Sequence, residues 1–119
     1  MALLATTIDS EGREIQVGEA RWVRREPPDS TDVAEFALAV ADDWQRAGLG
    51  ALLLGKLAAS AAAQGIRRLS GDVLADNERM CRLLKRNGWH QTPDHFDARL
   101  IVAQLDLNAM SAERSALAA

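Results

Sequence analysis

Gln45, Gly48 and Gly50 stand at a Q-x-x-G-x-G spacing between an apolar stretch, VAEFALAV (33–40), and a helix-forming run, GALLLGKLAASAAAQG (50–65). Where a strand passes through a glycine-rich turn into a helix, several backbone N–H groups are left unpaired. The positive end of the helix dipole adds to those donors at one point, and such a point holds a phosphate group. Gly48 and Gly50 carry no Cβ, so a ligand can come close to the backbone there. The chemistry expected is therefore the binding of a phosphate-bearing cofactor. The usual dinucleotide and P-loop nucleotide sites fare badly, because the chain has no G-x-G-x-x-G and no G-K-[ST] after a strand.

The elements around this turn can be read from the patterning. Residues 2–8 (ALLATTI) and 13–25 (REIQVGEARWVRR) flank the turn signal DSEG and predict an antiparallel hairpin, with Gly18 marking a bulge in its second strand. PPDSTD (27–32) reads as a loop, 34–41 as a strand and about 48–64 as a helix closed by Gly65. RRLSGDVLA (67–75) is the next strand. Asp76 or Asn77 then caps a helix running to about 87, ended by Gly88. ARLIVAQLDL (98–107) predicts a last strand, and NAMSAERSALAA (108–119) a loose or helical tail after a domain of residues 1–107. A strand–helix–strand–helix–strand run after a hairpin implies an α/β sheet with at least one parallel pair. The first helix should bury Leu49, Leu52, Leu53 and Leu57 against the sheet. The second should turn Met80, Leu83 and Leu84 inward and Arg79, Arg82 and Arg86 outward.

Other classes are disfavoured by composition. A chain of 119 residues has room for one domain. Its net charge of −3 gives no reason to expect nucleic acid. A single cysteine, Cys81, allows no intrachain disulfide and no thiolate metal cluster. His90 and His95 have only Asp94 and Asp97 as acidic neighbours, so no metal site is expected. There is no apolar run long enough to span a membrane, and MALLATTIDSEG lacks the basic segment of a signal peptide. The expected location is the cytoplasm, with no membrane partner.

Taken together, AEFALAVADDWQRAGLGALLLGKL, the Asn in VLADNERMCRLLKRNGW and the trailing Gly88 and Trp89 resemble the acetyl-CoA-binding half of the GNAT N-acetyltransferase superfamily. The likeness covers about residues 33–89, with a weaker extension from 2 to 107. AEFA, V-x-D-x-W-Q and N-x-x-M are most similar to the bacterial protein-lysine acetyltransferase branch. The resemblance implies an α/β fold with a mixed, mostly antiparallel sheet, a splayed parallel strand pair and two packed helices. It implies acetyl-CoA as cosubstrate, no metal, and an amine acceptor that is a small molecule or a protein lysine. It assigns the CoA pyrophosphate to the backbone N–H groups of Gln45, Arg46, Ala47, Gly48, Leu49 and Gly50. Leu38, Ala39 and Val40 would pair their main chain with the pantetheine arm. Asn77 would hydrogen-bond the cofactor, cap its helix, or both. Arg46 and Arg86 would either meet the 3′-phosphate or remain solvated.

The chemistry that the resemblance implies is attack of an amine on a thioester. A lysine with a reference pKa near 10.4 costs about 4.6 kcal/mol to deprotonate at pH 7. A positioned base recovers part of that, commonly about 10²–10⁴-fold in rate. Glu35 matches the family's general base, and a glutamate inside the apolar strand AEFALAV is unexpected for packing. Two departures stand beside this. The position seven residues after Asn77, often a general-acid tyrosine, is Leu84, and the chain has no tyrosine. The family's first strand and two helices precede the hairpin with which this sequence begins, so the acceptor wall is expected either to be missing or to come from another subunit, as in a homo-oligomer, or another chain. A non-catalytic acyl-CoA-binding or regulatory module is the alternative.

Overall fold

The computed structural model describes residues 1–25 and 32–107. β1 (Ala2–Ile8) and β2 (Glu14–Arg24) form the expected hairpin. The Asp9 carboxylate closes its turn by accepting from the N–H groups of Glu11 and Arg13 at 2.9 and 2.8 Å. Ala5 pairs with Gly18 and Thr6 with Gln16, so Val17 is the extra residue of a bulge beside Gly18. β3 (Val33–Val40) runs antiparallel to β2 along its whole length. A 3-10 helix (Asp42–Ala47) follows, then α1 (Leu49–Ala63), β4 (Arg68–Leu74) and α2 (Glu78–Arg86). β5 (His90–Pro93) and β6 (Leu100–Asp106) complete a sheet of order β1-β2-β3-β4-β6-β5. Among the described residues β3 and β4 are the one parallel pair. The architecture is thus the mixed, mostly antiparallel α/β sheet with two helices. All of the loop predicted at 27–32 except Asp32, and the tail at 108–119, lie outside the described residues.

Both helices pack on the sheet face that carries Ala20, Trp22, Ala34, Leu69 and Ala103. In α1 the inward stripe is Leu54, Leu57, Ala58 and Ala61 with Leu53 beside it. Leu52, expected in that stripe, is 56% exposed. It lies about 140° round the helix from Leu57, beyond the reach of the sheet. Asn77 caps α2 by accepting from the Met80 N–H at 3.2 Å, and Leu84 is fully buried beneath it. The helices approach at Gly50, where an added Cβ would stand 2.7 Å from Leu83 Cδ2. The opposite sheet face exposes Leu4, Val23 and Leu74.

The feature that positions the site is the parting of β3 and β4. Only Val33–Arg68, Ala34–Leu69 and Glu35–Ser70 are paired, although β3 continues to Val40 and β4 to Leu74. Phe36, the next residue of β3, lays its ring against the buried Trp89 with centroids 4.4 Å apart. An added Cβ on Gly71 would lie 2.7 Å from the Phe36 ring and 2.8 Å from its carbonyl oxygen. Gly71 therefore has to be a glycine for the strands to pass at this distance before they diverge. Because the crowding atoms include rigid backbone, Gly71→Ala should destabilise the protein by about 1–3 kcal/mol. The expected observation is a lower urea midpoint at an unchanged slope of the unfolding transition.

Candidate functional site

Beyond Glu35 the edge of β3 facing β4 has no strand partner, and the ladder with β2 decides which groups it presents. The Arg25 N–H donates to the Val33 carbonyl and the Ala41 N–H to the Val17 carbonyl, at 3.1 and 2.8 Å. Alternation then bonds the main chain of the odd residues, Ala39 included, to β2, and points that of Phe36, Leu38 and Val40 into the gap. Of the three residues expected to pair with a pantetheine arm, Leu38 turns both main-chain groups there and Val40 its N–H, the Val40 carbonyl already accepting from the Gln45 side chain. Ala39 is committed to Glu19 on the other side.

The gap leads to the start of α1. Gly48 has φ +81°, the left-handed conformation in which a glycine is favoured, and it turns the chain from the 3-10 helix into α1. The first bond into α1 runs from the Leu52 N–H to the Gly48 carbonyl at 3.1 Å. This leaves the N–H groups of Leu49, Gly50 and Ala51 without an intrahelical acceptor, and no side chain caps them. Gln45, Arg46 and Ala47 lie earlier, within the 3-10 helix, whose i to i+3 bonding turns their amides back along its own axis. The free donors are thus fewer than the motif suggests and sit further along it. The side chains of Arg46 and Ala47 lie outside what the structure describes.

Gln45 has a different task. Its side-chain amide donates to the Val40 carbonyl and to Asp42 Oδ1, each at 3.2 Å. Its Oε1 accepts from Arg79 Nη1 at 2.7 Å, which ties the 3-10 helix to α2. Val40, Gln45, Gly48, Gly50, Ala51 and Asn77 line a pocket of about 470 Å³, and its other wall is α2, with Arg79, Arg82 and Arg86. The Gln45–Arg79 contact has no signature in the residue pattern, since the two residues lie on different elements. The placement of the arginines on the outer face of α2 could be read from their spacing.

Glu35 sits at the last paired position before the strands part, opposite the buried Ser70. Its Oε1 lies 3.4 Å from Arg25 Nε, in an exposed pair. Leu84, at the position of the missing tyrosine, is buried in the core, and the half-buried Cys81 packs against that core. Trp44 is half-buried in the 3-10 helix. The Asp94 carboxylate accepts from the Phe96 and Asp97 N–H groups, and Asp97 pairs with Arg99. Hydrogen bonds from the Arg99 side chain and backbone N–H hold the Asp97 carboxyl below its usual range. These acids are spent on the turn before β6. Among the described residues no three His, Cys, Asp or Glu side chains converge as a metal site would require. No helix among them is long and apolar enough to cross a membrane.

A splayed parallel pair beside a helix with open first-turn amides is the arrangement the resemblance leads one to look for, and comparison with known proteins agrees. The sequence model of the acetyltransferase (GNAT) family matches residues 8–89. The chain belongs to this GNAT family. Acetyltransferase Pat of Mycolicibacterium smegmatis is 40% identical over 72 residues, which are 60% of this chain and 21% of Pat. The crystal structure of the GNAT domain of S. lividans PAT superposes with a TM-score of 0.69 at 28% identity, over 76% of this chain and 54% of that one. These two likenesses support the bacterial protein acetyltransferase branch. The putative acetyltransferase yncA of Salmonella typhimurium, solved with its cofactor acetyl-CoA, superposes with a TM-score of 0.65 at 24% identity, over 78% of this chain and 59% of that one. At that identity the likeness is one of fold. The GNAT chain described here spans about a fifth of Pat's length and about half that of the S. lividans domain.

Gly48, at the N-cap of α1, and Gly55, within it, should respond oppositely to alanine. Gly48→Ala forces a Cβ into the left-handed region and should cost about 1–2 kcal/mol. At Gly55, inside the helix, an added Cβ meets nothing within 4 Å, so Gly55→Ala should gain about 0.5–1 kcal/mol. Chemical denaturation of the two variants checks both signs.

Proposed function

We propose that this chain is the acetyl-CoA-binding and acetyl-transferring part of a GNAT N-acetyltransferase, acting on an amine and, by its likeness to Pat, on a protein lysine. The observation that carries the reading is one continuous path. It begins at the N–H groups of Leu49, Gly50 and Ala51, follows the open Leu38–Val40 edge of β3, and ends beside Glu35. The open amides suit a diphosphate. The strand edge suits a flexible arm with amide groups, which it holds as a further strand would be held. Asn77, a cap for α2, also faces the pocket and is free to meet the cofactor. We place the reaction in the cytoplasm, where a lone Cys81 needs no oxidising surroundings.

Acetyl-CoA would supply a thioester carbonyl carbon and a thiolate leaving group. Leu38 and Val40 would orient the arm so that the acyl end lies by Glu35. Glu35 would accept the proton of the attacking amine. Its exposed pair with Arg25 engages one carboxylate oxygen and is worth little, so the other oxygen stays available. With Leu84 in the core and no tyrosine in the chain, no side chain is assigned to protonate the thiolate, which would take its proton from water. A thiol of reference pKa about 8.5 leaves tolerably without help. The same buried Leu84 favours the second reading, a module that binds acyl-CoA without transferring it.

Calorimetry with acetyl-CoA, followed by turnover on a panel of amines that includes lysine peptides, tests both readings. Glu35→Gln should lower the transfer rate by about 10²-fold or more while acetyl-CoA affinity stays the same. Transfer undiminished by Glu35→Gln would overturn the role of Glu35, and binding without transfer by the wild type would select the second reading.

A further inference from the structure

Ser70 is the one polar side chain buried among the described residues, with 2% of its surface exposed. It lies in β4 between Leu69, which packs into the core, and Gly71, and the next residues of its own parity, Arg68 and Asp72, are exposed. By strand parity the Ser70 side chain stands on the face away from the helices, which is the face of Glu35. Register makes the two direct neighbours, since Glu35–Ser70 is the last pair before the strands part. On its other side Ser70 is paired with Gln104 of β6, and Gln104 with His90 of β5. Glu35, Ser70, Gln104 and His90 thus form a polar row across the sheet at the closed end of the gap.

Burying a hydroxyl without a hydrogen bond costs free energy, and an alanine would avoid that cost. The Ser70 hydroxyl makes no hydrogen bond with the described residues. No sealed side-chain oxygen among them lacks a partner, so this hydroxyl keeps a narrow opening onto the sheet face. The acceptor within its range is Glu35. Neighbouring strands lie about 4.8 Å apart, a distance that a glutamate side chain spans. The carboxylate leans toward Arg25, whose Nε meets Oε1 at 3.4 Å. A change of rotamer carries it the other way, to the Ser70 hydroxyl on the side of the gap.

Resting on the reading of Glu35 as the general base, we infer that Ser70 is its positioning residue. The hydroxyl donates to a Glu35 carboxylate oxygen and holds the carboxylate over the point where the strands part. An oxygen that accepts one hydrogen bond still has a lone pair for the proton of the amine. The pair with Arg25 is then the resting position of Glu35, and the bond to Ser70 is the working one. A base held in one place by a hydrogen-bonded neighbour reacts faster than one that samples several.

The test is a double-mutant cycle in acetyl transfer, using the panel amine that the wild type acetylates fastest. Ser70→Ala should lower kcat about tenfold, while acetyl-CoA affinity by calorimetry and the thermal midpoint stay near those of the wild type. Ser70→Cys keeps the size of the side chain but offers only a weak donor, and should lose as much. In a Glu35→Gln background, Ser70→Ala should change the rate by less than about twofold, because the group it positions is gone. A merely structural role would lower the rate equally in both backgrounds. Undiminished transfer by Ser70→Ala or by Ser70→Cys, or an equal loss in both backgrounds, would overturn the inference and leave Glu35 as the base. Absence of transfer by the wild type, or full transfer by Glu35→Gln alone, would overturn the reading of Glu35, and this one with it.

Discussion

Phe36 holds the centre of this structure. Its ring lies against Trp89 on the helix side of the sheet, and its carbonyl stands where any Cβ at position 71 would collide. Up to Glu35, β3 and β4 are hydrogen-bonded neighbours, and after Phe36 they are not. An unpaired strand edge inside a sheet leaves a row of donors and acceptors unsatisfied, which natural proteins avoid unless something covers or uses them. Here the row is short, and it opens onto a pocket rather than onto bulk surface. That the gap is held by a stacked aromatic pair and a required glycine makes it a property of the native packing rather than of a frayed strand end.

The turn after β3 depends on that gap as well. The Gln45 amide reaches back to the Val40 carbonyl, one of the groups pointing into it, and Gln45 also receives Arg79 from α2. One neutral side chain thus links the strand, the 3-10 helix and the second helix. Gly48 then reverses the backbone sense so that α1 starts with its amides facing the same opening. The pocket is consequently bounded by three elements that are fixed relative to each other by hydrogen bonds, and little reorganisation is needed for it to accept a ligand. Preorganisation of this kind lowers the entropic cost of binding.

Much of this was legible in the residues, and the part that was not has identifiable causes. The hairpin, β3, α1, β4, α2 and β6 follow from alternation, helical spacing and the glycines at 65 and 88, because each of these signals is local. The short strand β5 escaped because HQTP has no apolar alternation and ends in proline, a residue tolerated only where a strand lies at the edge of its sheet, as this one does. The 3-10 helix escaped because DDWQRA resembles a polar turn, and only the geometry decides that its amides are used internally. Leu52 is exposed, against the expectation from its spacing, for a related reason. A leucine-rich helix offers several plausible stripes, and the one that packs is chosen by the sheet beneath it. Ala39 shows the limit most clearly. Which strand residues turn their main chain toward the gap depends on register with β2, which no single-strand pattern encodes.

Strand parity also divides the labour between the two faces of the sheet. The even residues of β3 send their side chains, Ala34 and Phe36 among them, toward the helices, so the odd residue Glu35 points to the other face. The uncapped first-turn amides and the pocket arginines, by contrast, belong to α1 and α2. A molecule held at the start of α1 can bring its far end to Glu35 only by passing along the open edge where the strands part. In the proposed reaction this separates the two substrates spatially: the cofactor enters from the helix side, and the amine approaches from the face that exposes Leu4, Val23 and Leu74. The two would meet only at the point of the gap, where Glu35 and Ser70 are the last residues that still pair. The ladder with β2, in which Glu35 is paired with Val23, fixes the face on which Glu35 lies, so the register of that ladder matters to the proposed reaction as much as the gap itself.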